Sequence, residues 1–213
     1  MKPKIDYTLY LVTDRKLMSS PTIEELVKQA VRGGCTLVQL REKEASSRDF
    51  HEIAMKLREL TTRLGVPLIV NDRVDIALAV DADGVHVGQD DLPAEVVRQI
   101  IGPDKIIGVS ASSLSEALSA AEAGADYLGI GAMFAPGTKT EAHRTALEEL
   151  RRIREAISLP IVVIGGINKE TVPSFRGSGI EGLAVVSAIA AQEDVAGAAR
   201  ELKRLFLEGR TSV

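Results

Sequence analysis

The sequence predicts an α/β chain folded as one closed (β/α)8 barrel of the triosephosphate isomerase type, with residues 1–213 forming a single domain. Three observations carry this prediction. Short apolar segments alternate without interruption with helices, giving about eight β–α units. The apolar segments are rich in Val, Ile and Leu and lack polar alternation, as expected of strands buried on both faces. A weak repeat recurs at Gly34-Cys35-Thr36-Leu37-Val38, Gly124-Ala125-Asp126-Tyr127-Leu128 and Gly179-Ile180-Glu181-Gly182-Leu183, each reading as helix stop, small turn, strand. The competing fold, an open doubly wound sheet, would carry a glycine-rich fingerprint after the first strand. That strand ends instead in Thr13-Asp14-Arg15.

Tyr7 to Val12 reads as the first strand. Thr22 with Glu25 forms a capping box for a helix to Arg32, ended by Gly33-Gly34. Leu37 to Leu40 is the second strand, and Ser46 with Asp49 caps a helix that stops at Gly65. Val66 to Val70 follows, with Pro67 near its start, where a missing N–H does least harm. Val74 to Val80 is a short helix and Gly84 to Val87 a brief strand. Pro93 opens the next helix as a first helical residue. Lys105 to Val109 is a strand, Ser113 with Glu116 caps the helix closed by Gly124, and Tyr127 to Ile130 is a strand. A glycine-containing segment from Gly131 to Lys139 leads to a helix over Ala146 to Ile157. Strand Ile161 to Ile164, a short helix from Lys169 to about Arg176, strand Leu183 to Val186 and a helix from about Gln192 to Leu207 complete the chain.

Composition narrows the function. A net charge of -4 excludes a broad basic nucleic-acid surface but leaves room for a local cationic site. The single cysteine, Cys35, rules out an intramolecular disulfide and reads as a small hydrophobe near a helix end. No apolar run reaches the roughly 18 residues that cross a bilayer, and no signal-peptide pattern opens the sequence, so a cytoplasmic protein without membrane partners is expected. A homo-oligomer is left open.

The informative polar residues fall just after predicted strands. In a closed parallel barrel all strand ends of one polarity meet on one face. Gln39, Arg41 and Lys43 alternate at the end of the second strand and point to one side. Arg and Lys there suit a polyanion; the bland alternative pairs them with Glu42 and Glu44. Asn71 and Asp72 follow the third strand, Asp91 the fourth, Ser110 the fifth, Lys139 the sixth, Gly166 the seventh and Ser187 the eighth. Local alternatives are a helix cap at Asn71-Asp72, a turn at Asp90-Asp91, a cap at Ser110 and a hydrogen-bonded strand-end role for His86. Asp72 and Asp91 are hard oxygen ligands that suit Mg²⁺ together with phosphate oxygens, and the absence of a His/Cys cluster argues against zinc. Gly165-Gly166 and Val186-Ser187 are positioned for a second anion, on backbone N–H groups after the last two strands.

At these residues the sequence resembles the thiamine-phosphate synthase (thiamine-phosphate pyrophosphorylase) family. The matching segments include Leu9-Tyr10-Leu11-Val12-Thr13-Asp14-Arg15, Gln39-Leu40-Arg41-Glu42-Lys43, Asn71-Asp72-Arg73 and Gly84 to Leu92. They continue with Gly108-Val109-Ser110, Thr138-Lys139, Ile164-Gly165-Gly166-Ile167 and Val186-Ser187-Ala188-Ile189. The resemblance implies a Mg²⁺-dependent transferase whose substrates are a pyrimidine diphosphate and a thiazole phosphate. By that analogy Gln39, Arg41, Lys43, Asn71, Ser110 and Lys139 hold the pyrimidine diphosphate. Asp72 and Asp91 hold the metal, and Thr138, Gly166, Val186 and Ser187 meet the thiazole phosphate. The catalytic set it implies is Arg41, Lys43, Ser110 and Lys139. The competing functions are a thiazole tautomerase-like relative and a non-catalytic binder of thiamine phosphate.

One segment departs from the family pattern. Ala135-Pro136-Gly137-Thr138-Lys139 stands where a Pro-Thr-x-Thr-Lys type segment is usual, so Pro136 replaces a hydroxyl donor and lacks an N–H as well. The expected result is weaker thiazole-phosphate binding, or a loop rearranged through Gly137, with different Michaelis constants in the protein and its Pro136→Thr variant. Equal Michaelis constants for the two proteins would remove the idea.

Overall fold

The structure, a computed structural model, describes residues 2–134 and 140–210. Its eight strands are β1 (Leu9–Val12), β2 (Leu37–Leu40), β3 (Leu68–Asn71), β4 (Gly84–Val87), β5 (Ile106–Ala111), β6 (Tyr127–Ile130), β7 (Ile161–Val163) and β8 (Gly182–Val185). All pair in parallel with their sequence neighbours. β8 closes onto β1 through the register Leu9↔Leu183, Tyr10↔Ala184 and Leu11↔Val185, giving a closed barrel. The helices are α1 (Ile23–Arg32), α2 (Ser47–Leu64), α3 (Val74–Ala79), α4 (Ala94–Ile101), α5 (Leu114–Glu122), α6 (Thr140–Ala156), α7 (Ser187–Ala190) and α8 (Val195–Arg210).

Both faces of each strand are buried, but in different company. Tyr10, Val12, Leu37, Ile69, Ile106, Tyr127, Val162 and Ala184 pack together inside the barrel. Their neighbours Leu9, Leu11, Val38, Leu40, Leu68, Val70, Leu128 and Ile161 pack outward against the helices. This two-sided burial is why the strands read as continuous apolar runs.

The expected N-caps are present. Thr22, Ser46 and Ser113 accept from the backbone N–H groups of Glu25, Asp49 and Glu116. Other boundaries move. Pro93 is the N-cap of α4 rather than its first helical residue. The segment expected as a helix from Lys169 is a 3-10 turn at Val172–Phe175 that carries Pro173 in its first turn. α6 begins at Thr140, earlier than expected, and α8 begins at Val195, where Asp194 Oδ1 accepts from Gly197 N–H. The four-residue α7 has too few turns to show a period and was not expected.

The repeat seen in the sequence has a structural meaning. The residue just before each even strand accepts a hydrogen bond from the start of the odd strand preceding it. Leu9 N–H donates to Thr36 Oγ1 at 3.1 Å and Leu68 N–H to Asp83 Oδ2 at 2.8 Å. Ile107 N–H donates to Asp126 Oδ2 at 2.8 Å and Ile161 N–H to Glu181 Oε2 at 2.6 Å. Each carboxylate of the set is also held by an arginine of a preceding helix: Asp83 by Arg58, Asp126 by Arg98 and Glu181 by Arg154. These clamps all lie at the amino-terminal end of the barrel, away from the strand ends that carry the polar residues. Asp126→Ala leaves the Ile107 N–H unpaired and strips Arg98 of its carboxylate, a cost of about 1–3 kcal/mol. Urea unfolding checks this, and a loss within error of zero would show the clamp to be dispensable.

Candidate active site

The carboxyl ends of the strands open into a cavity of about 540 Å³. Gln39, Arg41 and Lys43 all line it, so the alternating spacing does bring them to one side. Asn71 and Asp72 reach it from the end of β3, Asp91 from the loop after β4, Ser110 from β5 and Val186 from the end of β8. Gly166 and Ser187 are exposed on the rim and do not line this cavity. Thr138, Lys139 and Pro136 lie outside the described residues.

The cationic side is braced by the first loop. Arg41 donates to Asp14 Oδ2 at 3.1 Å, and its backbone N–H donates to Thr13 Oγ1 at 3.0 Å. The alternative in which the cavity cations pair with their neighbours does not hold: Glu42 pairs with Arg15 and Glu44 with Lys16. Arg41 and Lys43 instead act electrostatically on Asp72.

Asp72 is the most constrained residue of the site. Its φ of 60° is left-handed, a conformation that costs a side-chain-bearing residue about 1–3 kcal/mol and persists only where neighbours fix it. They do so here: Asp72 N–H donates to the His86 carbonyl at 2.8 Å and Val74 N–H to the Asp72 carbonyl at 3.2 Å. The Asn71-Asp72 pair is not a helix cap, because α3 starts from Arg73 with no side-chain capping bond. The bend brings the Asp72 carboxyl to hydrogen-bonding contact with Asp91. Burial first, then Asp91, push the Asp72 pKa up to about 6, against the opposing pull of Lys43 and Arg41. Asp91 is itself fixed by the Gly88 N–H, which donates to its Oδ2 at 2.7 Å.

Two carboxylates held this close repel each other until a proton or a cation sits between them. Among the described residues no group of three or more His, Cys, Asp or Glu side chains gathers to hold a metal. The donor set is therefore a carboxylate pair, which fits a hard cation that takes its other oxygens from phosphate and water.

Sequence reasoning missed the floor of the cavity. Gln39 Nε2 donates to the Tyr10 hydroxyl at 2.8 Å, and Tyr10 meets the Tyr127 hydroxyl at 2.9 Å. Tyr127 meets His86 Nδ1 at 2.9 Å, and His86 Nε2 meets Ser110 Oγ at 2.9 Å. The expected hydrogen-bonded role of His86 is borne out; Ser110 is no helix cap, since Ser113 fills that place. His86 is buried, which lowers its pKa to about 4 and keeps it neutral. The row crosses β5 at Gly108, which pairs with both His86 and Tyr127. A Cβ at Gly108 would stand 2.1 Å from Tyr127 Cζ and 2.4 Å from His86 Nδ1, so only glycine leaves the gap open. The available signal was period-two counting: Tyr10, Gln39, His86 and Ser110 share the inward face with a glycine between large residues.

The thiamine monophosphate synthase family model matches residues 9–189. The chain is 62% identical over 208 residues to the thiamine-phosphate synthase of Clostridium beijerinckii, covering 98% of this chain and 100% of that one. It is 61% identical to the Clostridium botulinum protein of the same name, covering 97% of each. Among solved structures it is similar to a thiamine phosphate pyrophosphorylase from Pyrococcus furiosus, with a TM-score of 0.87, 45% identity and coverage of 96% and 97%. A 3-hexulose-6-phosphate synthase, at 19% identity and a TM-score of 0.69 over 93% of this chain and 99% of its own, shares the fold alone.

The raised Asp72 pKa gives a signed prediction. A carboxyl that binds its proton more tightly when folded stabilises the protein at low pH. That contribution is lost as pH rises from near 4 through about 6. Without metal, Asp72→Asn should therefore raise the melting temperature at about pH 7.5 by more than at about pH 5. Thermal melts in chelator check this; a gap that is equal or larger at the lower pH would contradict the strained carboxylate pair.

Proposed function

The chain belongs to the thiamine monophosphate synthase family, and on that premise we propose the reaction its cavity performs. It joins 4-amino-5-hydroxymethyl-2-methylpyrimidine diphosphate to 4-methyl-5-(2-phosphoethyl)thiazole, giving thiamine phosphate and diphosphate; the carboxylated thiazole would give the same products with carbon dioxide released as well. The observation that carries this reading is convergence. Two cations, a carboxylate pair and the two ends of the buried row, Gln39 and Ser110, drawn from β2, β3, β4 and β5 and the loops that follow them, line one cavity.

The carbon–oxygen bond between the pyrimidine methylene and the diphosphate breaks first, with its electron pair leaving on the diphosphate. The thiazole nitrogen then uses its lone pair to form the new carbon–nitrogen bond. Such a step asks the protein to stabilise negative charge building on the leaving group. Preorganised donors aimed at developing charge contribute about 3–4 kcal/mol each. Arg41, fixed by Asp14, offers a rigid donor fork, and Lys43 a point charge. Asp72 and Asp91 would hold Mg²⁺, which supplies charge neutralisation to the diphosphate when bound. The charge balance among the described residues supports that assignment: Asp14, Asp72, Asp90 and Asp91 outnumber Arg41 and Lys43 among those lining the cavity, so a polyanion there calls for a cation with it. Ser110 donates to the diphosphate and Gln39 meets the pyrimidine, with Asn71 beside it. Lys139 adds a further cation, while Thr138, Gly166, Val186 and Ser187 meet the thiazole phosphate.

Incubation with both substrates and Mg²⁺, followed by detection of released diphosphate, tests the reaction; a tautomerase-like relative or a non-catalytic binder would release none. Arg41→Ala and Lys139→Ala should each lower turnover at least about tenfold, a loss near 1.4 kcal/mol. Near-normal turnover in both would refute the roles given to them.

A further inference from the structure

Gln39 and Ser110 stand at the two ends of one buried row that runs through Tyr10, Tyr127 and His86. We propose that Tyr10, Tyr127 and His86 are positioning residues that give this row one direction of hydrogens, so that the amide oxygen of Gln39 and the hydroxyl hydrogen of Ser110 are presented to the ligand together. The inference rests on the coupling reading above, in which Gln39 meets the pyrimidine and Ser110 the diphosphate.

The direction follows from counting hydrogens. Gln39 gives an amide hydrogen to Tyr10. A phenol has one hydrogen, so Tyr10 passes its own to Tyr127, and Tyr127 passes its own to His86 Nδ1. A neutral imidazole that accepts at Nδ1 carries its hydrogen at Nε2 and donates it to Ser110 Oγ. The Ser110 hydrogen is then left for the cavity, as is the amide oxygen of Gln39. Burial keeps the row from borrowing solvent: Tyr10 is 1% exposed, Tyr127 0%, Gln39 4% and His86 8%. Among the described residues no buried side-chain nitrogen or oxygen lacks a partner.

The row therefore suits a ligand with an amine donor at the Gln39 end and an anionic oxygen at the Ser110 end. A ligand with a carbonyl in place of the amine would need Gln39 to turn over. Turning it reverses all four bonds and commits the Ser110 hydrogen to His86, removing it from the anion. Recognition of the ring and donation to the leaving group are thus tied through side chains of which Tyr127 does not itself line the cavity.

Two measurements test this. Nitrogen-15 NMR of histidine-labelled wild-type protein should show His86 with hydrogen on Nε2 and a pyridine-like Nδ1. Kinetics should compare the 4-amino pyrimidine diphosphate with its 4-oxo analogue. The wild-type preference in kcat/KM should fall at least tenfold in Tyr127→Phe, which keeps the ring and deletes the link. Tyr10→Phe, which cuts the row one place nearer Gln39, should give the same loss and serves if the first variant folds poorly. Hydrogen on Nδ1 in the wild type, or an unchanged preference in both variants, overturns the proposal. A wild type that couples neither pyrimidine sinks the coupling reading instead, and the His86 nitrogen shifts still decide the direction of the row.

Discussion

Closure of β8 onto β1 by parallel backbone hydrogen bonds is the constraint from which the site follows. Once eight parallel strands form a ring, every carboxyl end faces the same way. Arg41, Asp72, Asp91 and Ser110 are far apart in the chain, yet they line one cavity because each sits at or just past the end of its strand. The interior filling does the rest. Tyr10, Leu37, Ile69, Tyr127 and Val162 close the barrel below, so the polar residues stand at a mouth rather than along a pore.

Within that mouth the structure holds unfavourable electrostatics deliberately in place. Asp72 sits in a left-handed conformation, beside a second carboxylate, with its proton affinity raised. None of this helps the empty protein. It is tolerated because backbone bonds from Asp72 and to Asp91 leave the two carboxyls nowhere else to go. Strain of this kind marks sites that bind something able to relieve it.

How much of this was readable depended on range. Thr22, Ser46 and Ser113 were legible as caps because a cap is decided within four residues. The cavity residues from Gln39 to Ser110 were legible because strand ends can be found locally and the barrel supplies the rest. The Tyr10–Tyr127–His86 row was not, since its members lie on separate strands and meet only across the gap at Gly108. The fourth copy of the repeat also escaped notice. Asp81, at φ 51°, takes the left-handed place that glycine holds at Gly34, Gly124 and Gly179, so the glycine signal is missing there. Pro67, expected inside β3, lies just before it and serves the barrel through its carbonyl, which accepts from Val38 N–H. The placement of Gly166 and Ser187 on the rim could not be read from spacing, because loop paths depend on packing partners such as Phe134, whose N–H donates to the Gly165 carbonyl.

The four amino-terminal clamps join strands in consecutive pairs, β1 to β2, β3 to β4, β5 to β6 and β7 to β8, and none of these side-chain bonds ties one pair to the next. Their partners are only 15 to 27 residues apart. The base of the molecule is thus stitched first as four short-range pairs, which the arginines of α2, α4 and α6 and the Lys105–Asp81 ion pair then link one to the next beneath the closed sheet. Such a pair has the means to organise its own lower edge before its neighbours arrive, which is how a fold so dependent on its last strand can be assembled piece by piece.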